Sequence, residues 1–447
     1  MRLTRRQMIG STFALLASGF PVLAQSESVR LVEETKPGEF QRFDISLAVS
    51  GAMKVDREGK TERLPLETRA KHQFVERNEI ATGTGTGKVV RYYTEATSNS
   101  FVGGEKSKRT LGVDRRLILA QRGNDGTVQF NPDGPLTRDE LDLIAEHFDT
   151  FCLPLLLPNK DVKPGETWPI SPEAAQTACL FAGLIKNELV GKLIEVKDGK
   201  AIFAIEGKAE GIEHGASVKV AIAARGTYDT AAKKVVALTW EQTDDRDRGP
   251  IGPAIEAKAT ILLTRTPVAG EPKELSAAVR EKLPADSKIP ELLMQLRHTD
   301  PNSKFEMVYP RDWHIVVQNQ THLVMRLMVR GELIAQATIA EWKPKDLKGD
   351  RKAILNEFVN ATAKQANWEP KKVLENGPIP AGLGRQLYRL SAAGLQDGMA
   401  VVQSFHLLSG PDGQQIAVTC LTKQETSGKV GTRDVALVNA IDFPAKK

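Results

Sequence analysis

From residue 187 to residue 267 the chain alternates apolar and polar side chains in one run after another, with only short turns between them. In the cleanest run Ile255, Ala257, Ala259, Ile261 and Leu263 alternate with Glu256, Lys258, Thr260 and Leu262. That period of two places one face of a strand against a core. Runs at 189–196, 201–207, 218–225 and 235–243 precede it, and Asp198-Gly199 between the first two is a hairpin signature. Sequential strands joined by short turns predict an antiparallel meander with one apolar face, and that face has to be covered. Upstream, over 29–131, Phe43, Ile45, Leu47 and Val49 alternate with Asp44, Ser46, Ala48 and Ser50 and predict more strands, with turns at 82–87, 124–126 and 131–134.

Two covers are in reach. Thr137 and Glu140 are spaced as a capping box, with Leu136 and Leu141 as the flanking staple. The helix they open is expected over 138–152, with Leu141, Ile144, Phe148 and Phe151 on one stripe and Pro154 and Pro158 ending it. A second helix is expected around 173–184. The four residues Lys36-Pro37-Gly38-Glu39 recur as Lys163-Pro164-Gly165-Glu166, which reads as a common turn.

The rhythm breaks over 268–303. Pro272, Pro284, Pro290 and Pro301 divide it into short helical runs, the composition of a linker. Beyond it, strands are expected at 305–309, 315–317, 323–329, 333–340, 386–392, 399–408 and 415–421. An amphipathic helix is expected from about 350 to 365, with Ile354, Leu355, Phe358 and Ala361 on one face. A short helix over 433–440 closes the chain.

Composition narrows the function classes. The chain has 447 residues, 41% hydrophobic and 26% charged, which excludes a disordered, collagen-like or multi-span membrane chain. The net charge is +5, and removing Arg2, Arg5 and Arg6 with the first 24 residues lowers it to +2. No basic run elsewhere provides the footprint nucleic acid requires.

Residues 1–24 have the form of an export signal. A basic start precedes an apolar stretch from Met8 to Leu23, and Val22-Leu23-Ala24 fits a cleavage site. The run Thr4-Arg5-Arg6-Gln7-Met8-Ile9 resembles a twin-arginine signal. The expected location is periplasmic or extracellular, with cleavage near Ala24 and no stable membrane anchor afterwards. Of the three cysteines, Cys152 and Cys179 form a candidate disulfide, against the alternative that both are small buried apolar groups.

Motifs for chemistry fail on spacing. The glycines at 83–87 have Thr82 where a P-loop needs Gly and Val89 where it needs Ser or Thr. The seven histidines form no His-Glu-x-x-His pair, and a turn centred on Asn319-Gln320 would pair His322 with Val317 and His314 with Met325, so those two are not opposite. The nearest Cys/His pairing is Cys152 with His147, and there is no Gly-x-Ser-x-Gly elbow. Asp244-Asp245-Arg246-Asp247-Arg248 reads as a self-neutralising solvated loop. No catalytic residue, metal ligand or cofactor-binding residue is assigned, and no cofactor is expected.

In the C-terminal part, the opening run Phe305-x-Met307-x-Tyr309-Pro310-x-x-Trp313 and the close Val438-Asn439-Ala440-Ile441-Asp442-Phe443 resemble the PsbP-like family. The resemblance implies an α/β/α sandwich with an antiparallel sheet in an exported accessory or binding protein. It carries over no functional residues.

The expected fold is therefore mostly β plus α+β. A signal peptide (1–24) precedes an antiparallel β meander, half-barrel or barrel-like, over 28–267 with one or two covering helices. A linker (268–303) joins it to a PsbP-like domain (304–445). The expected function is that of an exported, non-enzymatic binding or accessory protein whose partner is an unknown protein or an apolar small molecule, and no convergent titratable cluster is expected. The alternative is a periplasmic carrier of a lipid or other apolar ligand, lined by Val218, Val220, Ile255, Ala257 and Ile261.

Overall fold

The computed structural model describes residues 28–57, 59–82, 85–123, 126–145, 148–284, 289–343, 351–365, 367–382 and 384–444. The expected signal peptide, the Asn124-Asp125 turn and His147 lie outside them.

The alternating runs form one antiparallel sheet of thirteen strands. Its path begins at Thr167–Pro169 and passes through Val190–Lys197, Lys200–Glu213, Ala216–Asp229, Lys234–Arg246 and Ala254–Pro267. It then takes up Phe40–Arg57, Lys60–Thr82, Gly85–Val102 and Leu117–Gly123, and ends at Gly126–Phe130. The join pairs Ile261 with Leu47 and Leu263 with Ile45, which merges two sequence-distant meanders into one sheet. The Asp198-Gly199 turn is as expected: both residues have positive φ and Lys197 faces Lys200. The two Lys-Pro-Gly-Glu copies fold alike, each glutamate side chain reaching back to its lysine amide.

The covers are shorter than the periodicity suggests. The capping box forms, with Glu140 N–H donating to Thr137 Oγ1 (3.1 Å) and Thr137 N–H to Glu140 Oε2 (2.7 Å). The α-helix it opens ends at Ala145, and a 3₁₀ helix, Thr150–Leu156, follows with Pro154 inside it. Proline removes an amide donor, which favours the tighter short helix. The second helix is Pro172–Ala178, capped by Ser171, and Gly183–Asn187 is a strand. Glu173 of that helix reaches Arg122 near the other end of the sheet path at 2.7 Å, so the sheet curls around its covers. Among the described residues the two end strands do not pair, and no barrel closes.

The C-terminal part holds a seven-stranded antiparallel sheet running from Trp313–Gln318 at one edge to Trp368–Ile379 at the other. Helix Arg351–Ala363 covers one face through Phe358, against Phe405 and Leu407. Helix Arg433–Asn439 lies on the other, its Leu437 in a cluster with Leu408. The edge strand Trp368–Ile379 escapes sequence reading because Pro370 and Pro378 and a mostly exposed face hide its period.

Parts of the stretch 268–303 pack onto the large sheet. Leu275 and Leu293 sit against Val75, Val90, Leu119 and Phe130 on the outer face of the large sheet. Gln295–Thr299 is a strand in a four-stranded sheet that also contains Leu136–Thr137, Glu306–Pro310 and Ile441–Asp442. One hydrophobic cluster runs from Leu31 through Trp240 and Trp313 to Ile441, so the two large sheets share buried contacts.

A cleft between the two sheets

Where the sheets meet, two hairpin tips abut. His214-Gly215 and Arg330-Gly331 both take positive φ, as two-residue turns require. A Cβ on Gly215 would lie 2.5 Å from the Gly331 carbonyl oxygen, so glycine is what permits the approach. Arg326 donates to the Pro250 carbonyl across the same seam.

Beside these tips is a cleft of about 170 Å³ lined by Arg138, Asp142, Glu213, His214, Arg246 and His314, with Ile251 and Ile315 as apolar walls. The capping box sets its first wall by starting a helix at Arg138, which brings Asp142 one turn on. Arg138 donates to the carbonyls of Arg311 (2.9 Å) and Trp313 (3.2 Å), and Asp142 lies 3.8 Å away. Arg246 lies 3.4 Å from Glu213 and donates to the Pro253 carbonyl. The rings of His214 and His314 meet edge-on at 5.8 Å, one from each sheet.

The charged groups here shift one another's titration. Burial first, then the charge of Arg138, lowers Arg311 to about 10. Burial, Arg138 and His214 together push His314 down to about 3. Burial pushes the Asp142 carboxyl up despite Arg138. His314 is therefore neutral near pH 7, and the cleft lining sets two guanidiniums (Arg138, Arg246) against two carboxyl groups (Asp142, Glu213).

A stability consequence follows. Between pH 6.5 and about 3 the folded imidazole of His314 stays uncharged while the unfolded chain takes up a proton, so the fold loses stability as pH falls through that window. Asp142 works in the opposite sense, its raised value favouring the fold at low pH. His314→Gln is expected to flatten the acid-side fall of Tm between pH 6.5 and 4.5 and to leave that slope unchanged above pH 7. An unchanged acid-side slope in the variant would refute the assignment.

Register connects this cleft to the residues expected to line a ligand site. Arg246 pairs with Val218 on one side and Ile255 on the other; Asp244 likewise sits between Val220 and Ala257. Val218, Val220, Ala257 and Ile261 are buried, Ile255 is half-buried, and Ile261 pairs with Trp240 deeper in the core. The polar residues between them escape the one-dimensional reading. The solvated-loop expectation for 244–248 is corrected: the strand runs to Arg246, and Trp240, Gln242, Asp244 and Arg246 alternate on the less exposed face. Trp240 donates to Gln242 at 3.0 Å, and Gln242 to Asp244. Continuing the period of two past Thr243 would have exposed this. The convergence with Asp142 and His314 has no linear signal, and it contradicts the expectation that no titratable cluster forms.

Cys152, Cys179 and Cys420 are buried free thiols, and burial raises the Cys179 thiol to about 12. Among the described residues no group of three His, Cys, Asp or Glu side chains is placed to hold a metal ion, and no helix is long and apolar enough to cross a membrane. His314 pairs with Arg326, away from His322.

No family model and no curated protein matches the chain. Among solved structures, the cyanobacterial PsbP of Synechocystis is 16% identical, with 34% of this chain and 93% of that chain covered and a TM-score of 0.25. The Ran-binding protein Mog1p of Saccharomyces cerevisiae is 10% identical over 33% of this chain and 95% of that chain, with a TM-score of 0.26. Lipovitellin is 9% identical over 55% of this chain and 27% of that chain, with a TM-score of 0.29. The chain thus bears a weak, partial structural resemblance to a PsbP-like protein over about a third of its length.

Proposed function

We propose that the protein is an exported, non-enzymatic binding protein in which a β-rich unit and a PsbP-like unit hold a small anion between them. The observation that carries this is Arg138. Its guanidinium donates to two neutral carbonyls, the Asp142 carboxylate lies 3.8 Å away, and its field reaches both His314 and Arg311. A carboxylate-bearing ligand of few heavy atoms fits the volume and would accept from the Arg138 and Arg246 guanidiniums.

The test is titration of the full chain with acetate, malonate and succinate, read on the His314 ring protons by NMR. A bound anion favours the imidazolium and is expected to raise the His314 value from about 3. Arg246→Gln is expected to weaken binding by about 1.5–3 kcal/mol, roughly ten- to hundredfold in Kd. No movement of the His314 resonance with any of the three acids would refute the reading.

A second reading has one observation in its favour. Beyond the core the concave face carries the half-buried row Ile255, Met53 and Leu64, with Leu66 and Val102 beside it. Such a row suits the apolar-ligand carrier, which a co-purified lipid would support.

A further inference from the structure

A second cavity lies wholly within the C-terminal sheet, away from the two hairpin tips. It has a volume of about 320 Å³, at the small end of the roughly 300–1,000 Å³ of small-molecule sites. Three neighbouring strands, Gln386–Gln396, Met399–Ser409 and Gln415–Lys423, form its floor; helix Arg433–Asn439 and the short helix Ser427–Val430 form its roof. The floor presents hydroxyls, Ser391 and Ser404, 3.0 Å apart. Leu374 and Val402 give apolar walls.

Its charged groups are partly spent on one another. Arg389 donates to Glu375 (2.5 Å) and to Asp434 Oδ2 (2.6 Å), and the fully buried His406 lies 3.5 Å behind Asp434. Four buried polar atoms of this cluster lack a partner at normal geometry, both ring nitrogens of His406 among them, and the other two belong to side chains that line the cavity. Asp434, 1% exposed, has an Oδ1 with no hydrogen-bond partner at normal geometry, and the Arg389 Nε–H is buried in the same condition. Buried groups of this kind are ordinarily satisfied. One needs a donor and the other an acceptor.

That pair discriminates among ligands. A carboxylate would accept from Arg389 but meet Asp434 and Glu375 as like charges. An ammonium would donate to Asp434 but offer nothing to Arg389. A hydroxyl does both, and Ser391 and Ser404 extend the same pattern. We infer that this cavity binds a small uncharged molecule with adjacent hydroxyl groups, of the size of a monosaccharide. The inference is independent of the anion site.

The experiment is saturation-transfer difference NMR on the full chain with D-glucose, D-gluconate and D-glucosamine at equal millimolar concentration. The expected result is transfer to glucose, with the two charged analogues roughly tenfold weaker. Gly428 lines the cavity and a Cβ there meets nothing within 4 Å, so Gly428→Phe should fold and is expected to abolish the glucose signal. Ser404→Ala, which removes a floor hydroxyl at nearly constant volume, is the second variant and is expected to weaken it roughly tenfold. Arg246→Gln, at the other cleft, should leave it intact. Absence of transfer to glucose, equal transfer to gluconate, or a signal that survives both cavity variants would overturn the proposal.

Discussion

Trp168→Ala is expected to destabilise the protein by about 3–5 kcal/mol, the range for removing a large buried ring. Trp168 is 3% exposed, and its indole N–H donates to the Leu156 carbonyl at 3.0 Å. That hydrogen bond ties the first strand of the large sheet to the 3₁₀ cover. Its ring lies over its cross-strand partner Gly191, where a Cβ would fall 2.2 Å from Cε2. Phe203 repeats the arrangement over Gly226, its own partner, and the two rings are 6.5 Å apart. These glycines make room for rings that fill the curl of the sheet. Gly191→Ala should therefore cost about 1–3 kcal/mol by overpacking. With Trp168 already replaced, the same change should be neutral or stabilise by up to about 1 kcal/mol, since strand glycine is itself unfavourable. Urea unfolding of the two single variants and the double variant tests this; an equal cost of Gly191→Ala in both backgrounds would contradict it.

Glu76→Ala is expected to cost a further-reaching 3–5 kcal/mol, roughly the penalty for leaving a buried charge unpaired. Arg91 is 4% exposed and bonds Glu76 at 2.8 Å and Thr150 Oγ1 at 2.8 Å. Its guanidinium also lies over the rings of Phe74 (5.2 Å) and Phe151 (5.5 Å). One side chain thus fastens two strands of the sheet to the 3₁₀ cover. Replacing both partners, Arg91→Met with Glu76→Leu, leaves no unpaired charge and should be milder than Glu76→Ala alone. Urea unfolding decides it, and a double variant as unstable as the single one would refute the account.

The local architecture was legible wherever a period or a cap recorded it. The capping box at Thr137 and Glu140, the Asp198-Gly199 hairpin and the alternation at 255–263 all depend on neighbours in sequence. The failures arise where distant segments decide the outcome. Phe40–Arg57 joins Ala254–Pro267 across some two hundred residues of chain, and Leu275 is buried because it folds back over Val90 and Leu119. The cleft is the extreme case. Arg138, His214, Arg246 and His314 come from four elements, and charges that look solvated in a row become a site when register and curl aim them at one another. The two orphaned atoms of Asp434 and Arg389 are likewise invisible until three strands and a helix are in place.

What occupies the cleft between the sheets decides the function. The direct measurement is to purify the full chain from its own host, denature it, and identify by mass spectrometry every small molecule released, alongside Arg246→Gln prepared in the same way. The account predicts one small organic acid in near-stoichiometric amount, recovered chemically unchanged, and strongly depleted in the variant. Release of a lipid alone, of an acid equally abundant in the variant, or of a chemically altered product of an added acid would contradict it.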